Sequence, residues 1–263
     1  MEKFKKVARI AYCIGLAGMI IPQYFYKQFG GNFFPAWPNL SLLTVWVYLF
    51  STIVLAACLA IIFERKGREA ALILGGLLLL IYVFGYIPYE LFVAKYADHL
   101  GTWGDGLKEP ALAGGAFVIA GSFPREETVQ SPGFIKWLEK LVPLGPLFFC
   151  ITMVLYGLCH FLYAVYISPM VPGWIPGQMF WTYFAGTALM CAGLAIVFNI
   201  KRKLAANLLG IMILIWLIML HIPRAIAAPF ANYANEPVGA FSALAFCAIA
   251  FAIAWSGRSE KPA

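Results

Sequence analysis

Charged residues are scarce in this chain. Asp, Glu, Lys and Arg make up 12% of its 263 residues, whereas 62% are hydrophobic and the mean hydropathy is +0.82. A soluble domain of this length could not remain in solution with such a composition. The chain is therefore predicted to be a polytopic membrane protein.

Paired cysteines and nucleotide-binding motifs are also missing. The six cysteines lie inside apolar segments and none forms a Cys-x-x-Cys pair, which argues against a disulfide-exchange enzyme and against covalent haem attachment. We interpret them as small packing residues. The sequence has no nucleotide-binding fingerprint and no carboxylate pair placed for hydrolysis, so hydrolase activity is not expected.

Apolar stretches recur along the whole chain and most are long enough to cross a hydrocarbon core of roughly 30 Å. The fourth is short, but the Glu109-Pro110 pair before it matches the Glu236-Pro237 pair before the eighth. We therefore expect an all-α protein with eight transmembrane helices. The stretches lie near 8–28, 42–63, 70–94, 110–123, 145–168, 176–198, 204–226 and 238–256.

Lys and Arg are distributed unevenly between the connections. With eight spans, 15 of the 19 fall on the face that carries both termini. Because these residues are retained on the cytoplasmic side, both termini are predicted to be cytoplasmic, in a cell (inner) membrane. The net charge of +7 then indicates topology and contact with anionic lipids, and nucleic-acid binding is not expected.

The chain contains an internal repeat. Residues 46–91 align with 181–226 at a constant offset of 135, with 16 identities in 46 pairs. Because each copy would hold four crossings, the copies are predicted to be parallel four-helix repeats, related by a pseudo-two-fold axis along the membrane normal. The predicted units are a first repeat over 1–123, a cytoplasmic linker with an interfacial helix over 124–144, and a second repeat over 145–263.

Only the second copy carries histidine within its apolar spans. His160 and His221 are predicted to lie at one depth in the outer half of the membrane, where they could meet, and Tyr86 replaces His221 in the first copy. Arg224 follows His221 by one turn and should share its helix face. An ionisable side chain within a span is costly unless it faces the bundle interior or a wet cavity.

Several interpretations of these histidines remain open. They could exchange protons with a quinone, with Arg224 stabilising negative charge on its oxygen. They could be axial ligands of haem b, or, less readily, hold part of a metal site. Alternatively they only satisfy hydrogen bonds between helices, while Arg224 extends to the outer headgroups.

Two outer connections are rich in Trp and Pro, around Trp37 and Trp174. Such residues most often act as membrane anchors and turns. The alternative is that they cap an outward-facing cavity, which makes Trp174 a candidate ligand contact.

Six segments of the second half have a recognisable pattern: 157–161, 172–177, 181–186, 192–195, 201–206 and 221–224. In these segments the second half resembles the DoxX family of four-span bacterial membrane proteins, and the first half resembles it more faintly. The resemblance implies a four-helix unit with an early His at the position of His160, a late His at that of His221, and a link to membrane redox work involving thiosulfate, quinone or thiol stress. The first copy departs from the pattern at Tyr86. Tyr183, within 181–186, is a further candidate contact.

These observations leave three functional classes. The protein could be a quinone-linked oxidoreductase or a redox-associated subunit with a partner protein. It could instead bind or transport a lipid or a small apolar ligand without catalysis, between caps formed by Trp37 and Trp174. As an assembly factor of a membrane complex, it would hold a partner through exposed helices and the linker around Trp137.

Overall fold

The computed structural model describes residues 2–30, 33–38, 41–96, 99–124 and 132–256. Within these ranges the regular structure is helical throughout, without strands. The all-α prediction is confirmed. A third of the predicted linker, residues 125–131, lies outside the described residues.

The first half contains three long helices and one short, central helix. The third long helix is interrupted by a π turn, Tyr82–Tyr86, and its two α-helical segments are labelled α3 and α4. In chain order the helices are α1 (Glu2–Tyr26), α2 (Leu43–Ile62), α3 (Gly67–Ile81), α4 (Ile87–Phe92) and α5 (Lys108–Ser122).

The second half repeats these elements. The bounds of α2, α3, the π turn and α4 recur at the same offset of 135 residues in α9, α10, a second π turn (Leu217–His221) and α11. The helices are α6 (Gly133–Glu139), α7 (Gly145–Leu162), α8 (Ala164–Ile167), α9 (Gln178–Val197), α10 (Arg202–Trp216), α11 (Ile222–Ala227) and α12 (Asn235–Ser256).

A proline explains the π turn in each half. Pro88 and Pro223 lack the N–H that an α-helix would use, and the proline ring crowds the preceding turn. The helix therefore widens locally into a π turn. The N–H of Ile87 donates to the Tyr82 carbonyl, five residues back, and the N–H of Ile222 donates to the Leu217 carbonyl in the same way. The second π turn ends at His221, so it fixes where that side chain leaves the helix.

Helices α5 and α12 form the centre of the molecule. They pack against each other, α5 also packs against α3 and α7, and α12 against α1 and α10. Of the 15 residues of α5, 13 are buried. Each central helix therefore contacts helices of both halves, and the cores of the two halves are continuous.

Six helices in the described part of the chain are long and apolar enough to cross a membrane. A multi-pass membrane protein is therefore supported. The predicted eight spans also include α1 and α5, which are not among these six. Helix α5 is shorter than the roughly 20 residues that a span needs, and its burial means that protein surrounds it. The six are Leu43–Ile62, Gly67–Phe92, Gly133–Leu162, Gln178–Val197, Arg202–Ala227 and Asn235–Ser256.

Polar contacts identify the two ends of the bundle. At one end, which we call the terminal face, the buried Arg9 donates to the side chain of Ser122 (2.8 Å) and to Glu2 (2.8 Å). Phe4 meets Trp255 at the same end. At the opposite end, the loop face, the Gly101 N–H donates to the hydroxyl of Tyr163. The linker helix α6 is present at the terminal face, where it packs against α3 and runs into α7.

Candidate functional site

A cavity of about 340 Å³ lies near the loop face of the second half, between α7, α9, α10 and α12. Its volume is at the lower end of the roughly 300–1,000 Å³ typical of small-molecule sites. Both predicted histidines line it. The lining residues are Lys108, Met153, Tyr156, His160, Ile167, Met170, Val171, Trp181, Thr182, Ala185, Leu189, Met212, Ile213, Trp216, Leu220, His221, Gly239, Ser242, Ala243 and Phe246.

His160 is held by the helix that carries it. Its Nδ1 lies 2.7 Å from the carbonyl oxygen of Tyr156, one turn earlier on α7. A carbonyl only accepts, so Nδ1 carries the hydrogen and the neutral ring has its free lone pair on Nε2. The ring therefore offers a hydrogen-bond acceptor.

A close approach of α7 and α9 determines where His160 lies. A Cβ built on Gly186 would lie 2.7 Å from the Cβ of His160, and one built on Gly157 would lie 2.6 Å from the Gly186 carbonyl oxygen. Glycine is required at both positions because any larger residue would separate the helices. The two glycines thus bring the His160 backbone against α9.

His221 enters the cavity from the second π turn. A Cβ built on Gly239 of α12 would lie 3.8 Å from its Nδ1, so the ring borders that helix. The structure therefore brings His160 and His221, on different helices, to the wall of one cavity.

The other polar groups of the cavity include one cation from the first half. Lys108 stands at the start of α5, and its Nζ pairs with Asp105 at 2.7 Å. Thr182 and Ser242 add two buried hydroxyls. Sequence reasoning missed Lys108 because its place in this wall depends on the packing of α5 against α7, which no local pattern reveals.

Three predicted contacts lie outside the cavity. Arg224 makes two hydrogen bonds to Glu236, with N–O distances of 2.6 and 2.8 Å, and is not a lining residue. Trp174 is 71% exposed, and Tyr183 stacks on Phe161 with ring centroids 5.4 Å apart. The aromatic walls come instead from Tyr156, Trp181, Trp216 and Phe246.

At two aligned positions the first half has larger buried side chains than the wall of this cavity. Ala185, which lines the cavity, aligns with Phe50, and Phe50 is buried against Phe33 with ring centroids 5.6 Å apart. By the matching Glu-Pro pairs, Gly239 aligns with Leu112, which is fully buried.

Comparisons with known proteins identify no relative. A scan against protein-family models, a search of curated proteins and a search of solved structures each found no match. Among the described residues, no group of three or more His, Cys, Asp and Glu could hold a metal ion.

Proposed function

We propose that the second half binds a small amphipathic molecule whose polar head group meets His160 and His221, and that this molecule is a quinone or quinol. One observation carries the proposal: two histidines from different helices line a single cavity whose walls are otherwise mostly apolar and aromatic. This combination of an apolar pocket with a few convergent polar groups is characteristic of small-molecule sites.

Each polar group has a distinct role in this proposal. The Nε2 lone pair of His160 accepts a hydrogen bond, and then a proton, from a ring hydroxyl of the ligand. Lys108 replaces Arg224 as the cation that stabilises negative charge on a ligand oxygen. Arg224 positions the start of α12 through Glu236. Trp181 and Trp216 enclose the apolar ring.

The proposal includes the membrane arrangement and the family. We propose eight spans in two parallel four-helix repeats of DoxX type, with both termini cytoplasmic and the cavity in the outer half of the membrane. The matching bounds of α2 and α9 and of α3 and α10 support the repeat. The enclosed position of α5 supports counting it as a span, because a helix without lipid contact need not match the bilayer thickness.

A second candidate function is binding or transport of an apolar ligand without redox chemistry. The observation that favours it is the wall itself, in which Met153, Ile213, Leu220 and Phe246 contribute no polar group. In this case the histidines would only orient the ligand, and any redox partner protein would be unnecessary.

Ligand extraction and titration test the proposed function. Protein purified from membranes is expected to yield quinone in an organic extract, and to bind decylubiquinone with a single site. His221→Tyr introduces the residue that the first half carries and should weaken binding at least about tenfold, equivalent to roughly 1.4 kcal/mol.

Tyr183→Phe is the matched control, since Tyr183 lies outside the cavity and its substitution should leave binding unchanged. Quinone binding that is equally tight in His221→Tyr would refute the proposed site. Absence of quinone from the extract together with bound lipid would favour the second candidate function.

A further inference from the structure

The first half contains an acid that the proposed ligand site does not use. Glu109 is fully buried near the start of α5, and neither of its carboxylate oxygens has a hydrogen-bond partner. Burying an ionised carboxylate without a partner is among the costliest events in a protein interior. A neutral carboxylic acid avoids most of that cost.

The second half shows what would be needed to keep this acid charged. Glu236 is the counterpart of Glu109 in the matching Glu-Pro pairs, and it receives two hydrogen bonds from Arg224. The residue that aligns with Arg224 in the first half is Tyr89, which carries no charge. The first half therefore has the acid at this position but not the cation.

The surroundings of Glu109 are acidic and phenolic. Lys108 is paired with Asp105, and Glu236 with Arg224. Neither cation hydrogen-bonds to Glu109. Glu90 is also buried, with one oxygen unpartnered. Among the described residues, the ionisable groups on the elements packed around the start of α5 include Tyr82, Tyr86, Glu90, Asp105, Lys108, Tyr156, Tyr12, Glu236 and His221.

A route connects this acid with the loop face. The Tyr86 ring packs against Gly106, next to Asp105, and lies within electrostatic range of Asp105, Glu90 and Glu109. A phenolic hydroxyl can both donate and accept a hydrogen bond. The Asp105 side chain is 57% exposed. A phenol therefore stands between an exposed carboxylate and two buried acids.

We propose that Glu109 is a proton-binding site of the first half, neutral at rest, which exchanges its proton with the aqueous phase at the loop face through Tyr86 and Asp105. The exchange moves one proton between water and the carboxylate and involves no electron transfer. It needs neither a bound quinone nor either histidine.

Infrared spectroscopy of the purified, ligand-free protein tests this site directly. The C=O stretch of a protonated carboxyl group absorbs at a frequency separate from the carboxylate stretches. We expect such a C=O band at neutral pH. Glu109→Gln should remove it, and the neutral amide should preserve the fold. The control Glu236→Gln should leave the band in place, because Glu236 is an ionised partner of Arg224.

Tyr89→Arg provides the converse variant, since it rebuilds in the first half the ion pair of the second. It should convert the carboxyl band into carboxylate absorption while Glu109 remains in place. Identical spectra for the unmodified protein and Glu109→Gln would overturn the proposal. So would a band that disappears on adding Na⁺ at constant pH, because the site would then hold a metal cation. If Tyr89→Arg does not fold, the comparison of the unmodified protein with Glu109→Gln tests the proposal by itself.

Discussion

The two halves of this protein share the bounds of several helices and differ in the side chains that those helices carry. Helices α2 and α9 have equivalent bounds, as do α3 and α10 and the two π turns. In the second half this scaffold encloses a cavity with two histidines, whereas in the first the same region is packed with Phe33 and Phe50. Larger side chains at two aligned positions therefore accompany the difference between the halves.

The halves also differ in whether one glutamate has a hydrogen-bonding partner. The second half pairs Glu236 with Arg224, and the first half leaves Glu109 buried without a partner. Likewise Tyr86 replaces His221 and is covered by Gly106, where a Cβ would lie 2.2 Å from its ring. One half is thus arranged around a cavity and the other around a closed group of acids and phenols.

Phe50→Ala should have the largest effect, because it removes the ring that fills the first half. Phe50 is 6% exposed and contacts both Phe29 and Phe33. Truncating such a core aromatic costs about 3–5 kcal/mol, measurable by thermal or denaturant unfolding in detergent. The matched control Phe63→Ala, at a 68% exposed ring, should cost far less. Equal losses of unfolding free energy in Phe50→Ala and Phe63→Ala would show that the Phe50 ring does not fill the space that is a cavity in the second half.

Ala185→Phe is the reverse change and should close the second half's cavity. Ala185 is buried in the cavity wall, and the introduced ring would take the space of the ligand. Affinity for decylubiquinone should fall about a hundredfold, or roughly 2.8 kcal/mol. Cys191→Phe, at an exposed position of the same helix, is the control and should bind normally. Undiminished binding by Ala185→Phe would mean that the ligand binds elsewhere.

The equivalence of α2 with α9 could be predicted from the sequence, because the identities hold one offset without a gap. The placement of His160 and His221 in one region also followed from their depth. For Arg224, a spacing of three residues predicts a place beside His221, and no local pattern indicates that Glu236, at the start of the next helix, accepts its hydrogen bonds. Lys108 could not be predicted, because only tertiary packing brings the start of α5 to this wall.

Glutamine substitutions at the paired and the unpaired acid, compared at pH 5, should have the smallest effects, and their difference is the most informative. Glu236→Gln keeps the shape of the side chain and weakens two charge-assisted hydrogen bonds from Arg224. Because the side chains of that pair are 38% and 22% exposed, we expect a loss of about 1.5 kcal/mol, the lower end for hydrogen bonds to charged groups. Thermal unfolding of both variants in one detergent measures the contrast.

The pH dependence of the change at Glu109 separates the two accounts of that residue. If the carboxyl is neutral in the folded protein, folding takes up a proton at any pH above the ordinary Glu pKa of about 4.3, and Gln removes that cost. The stability gain of Glu109→Gln should then grow by about 1.4 kcal/mol per pH unit above that value. If the carboxylate were ionised in both states, its oxygens would lie buried without a partner, and the gain from relieving that desolvation would not change with pH. A gain that is equal at pH 5 and pH 7 would therefore contradict the neutral acid, whereas a loss as large as that of Glu236→Gln would indicate a cation bound there.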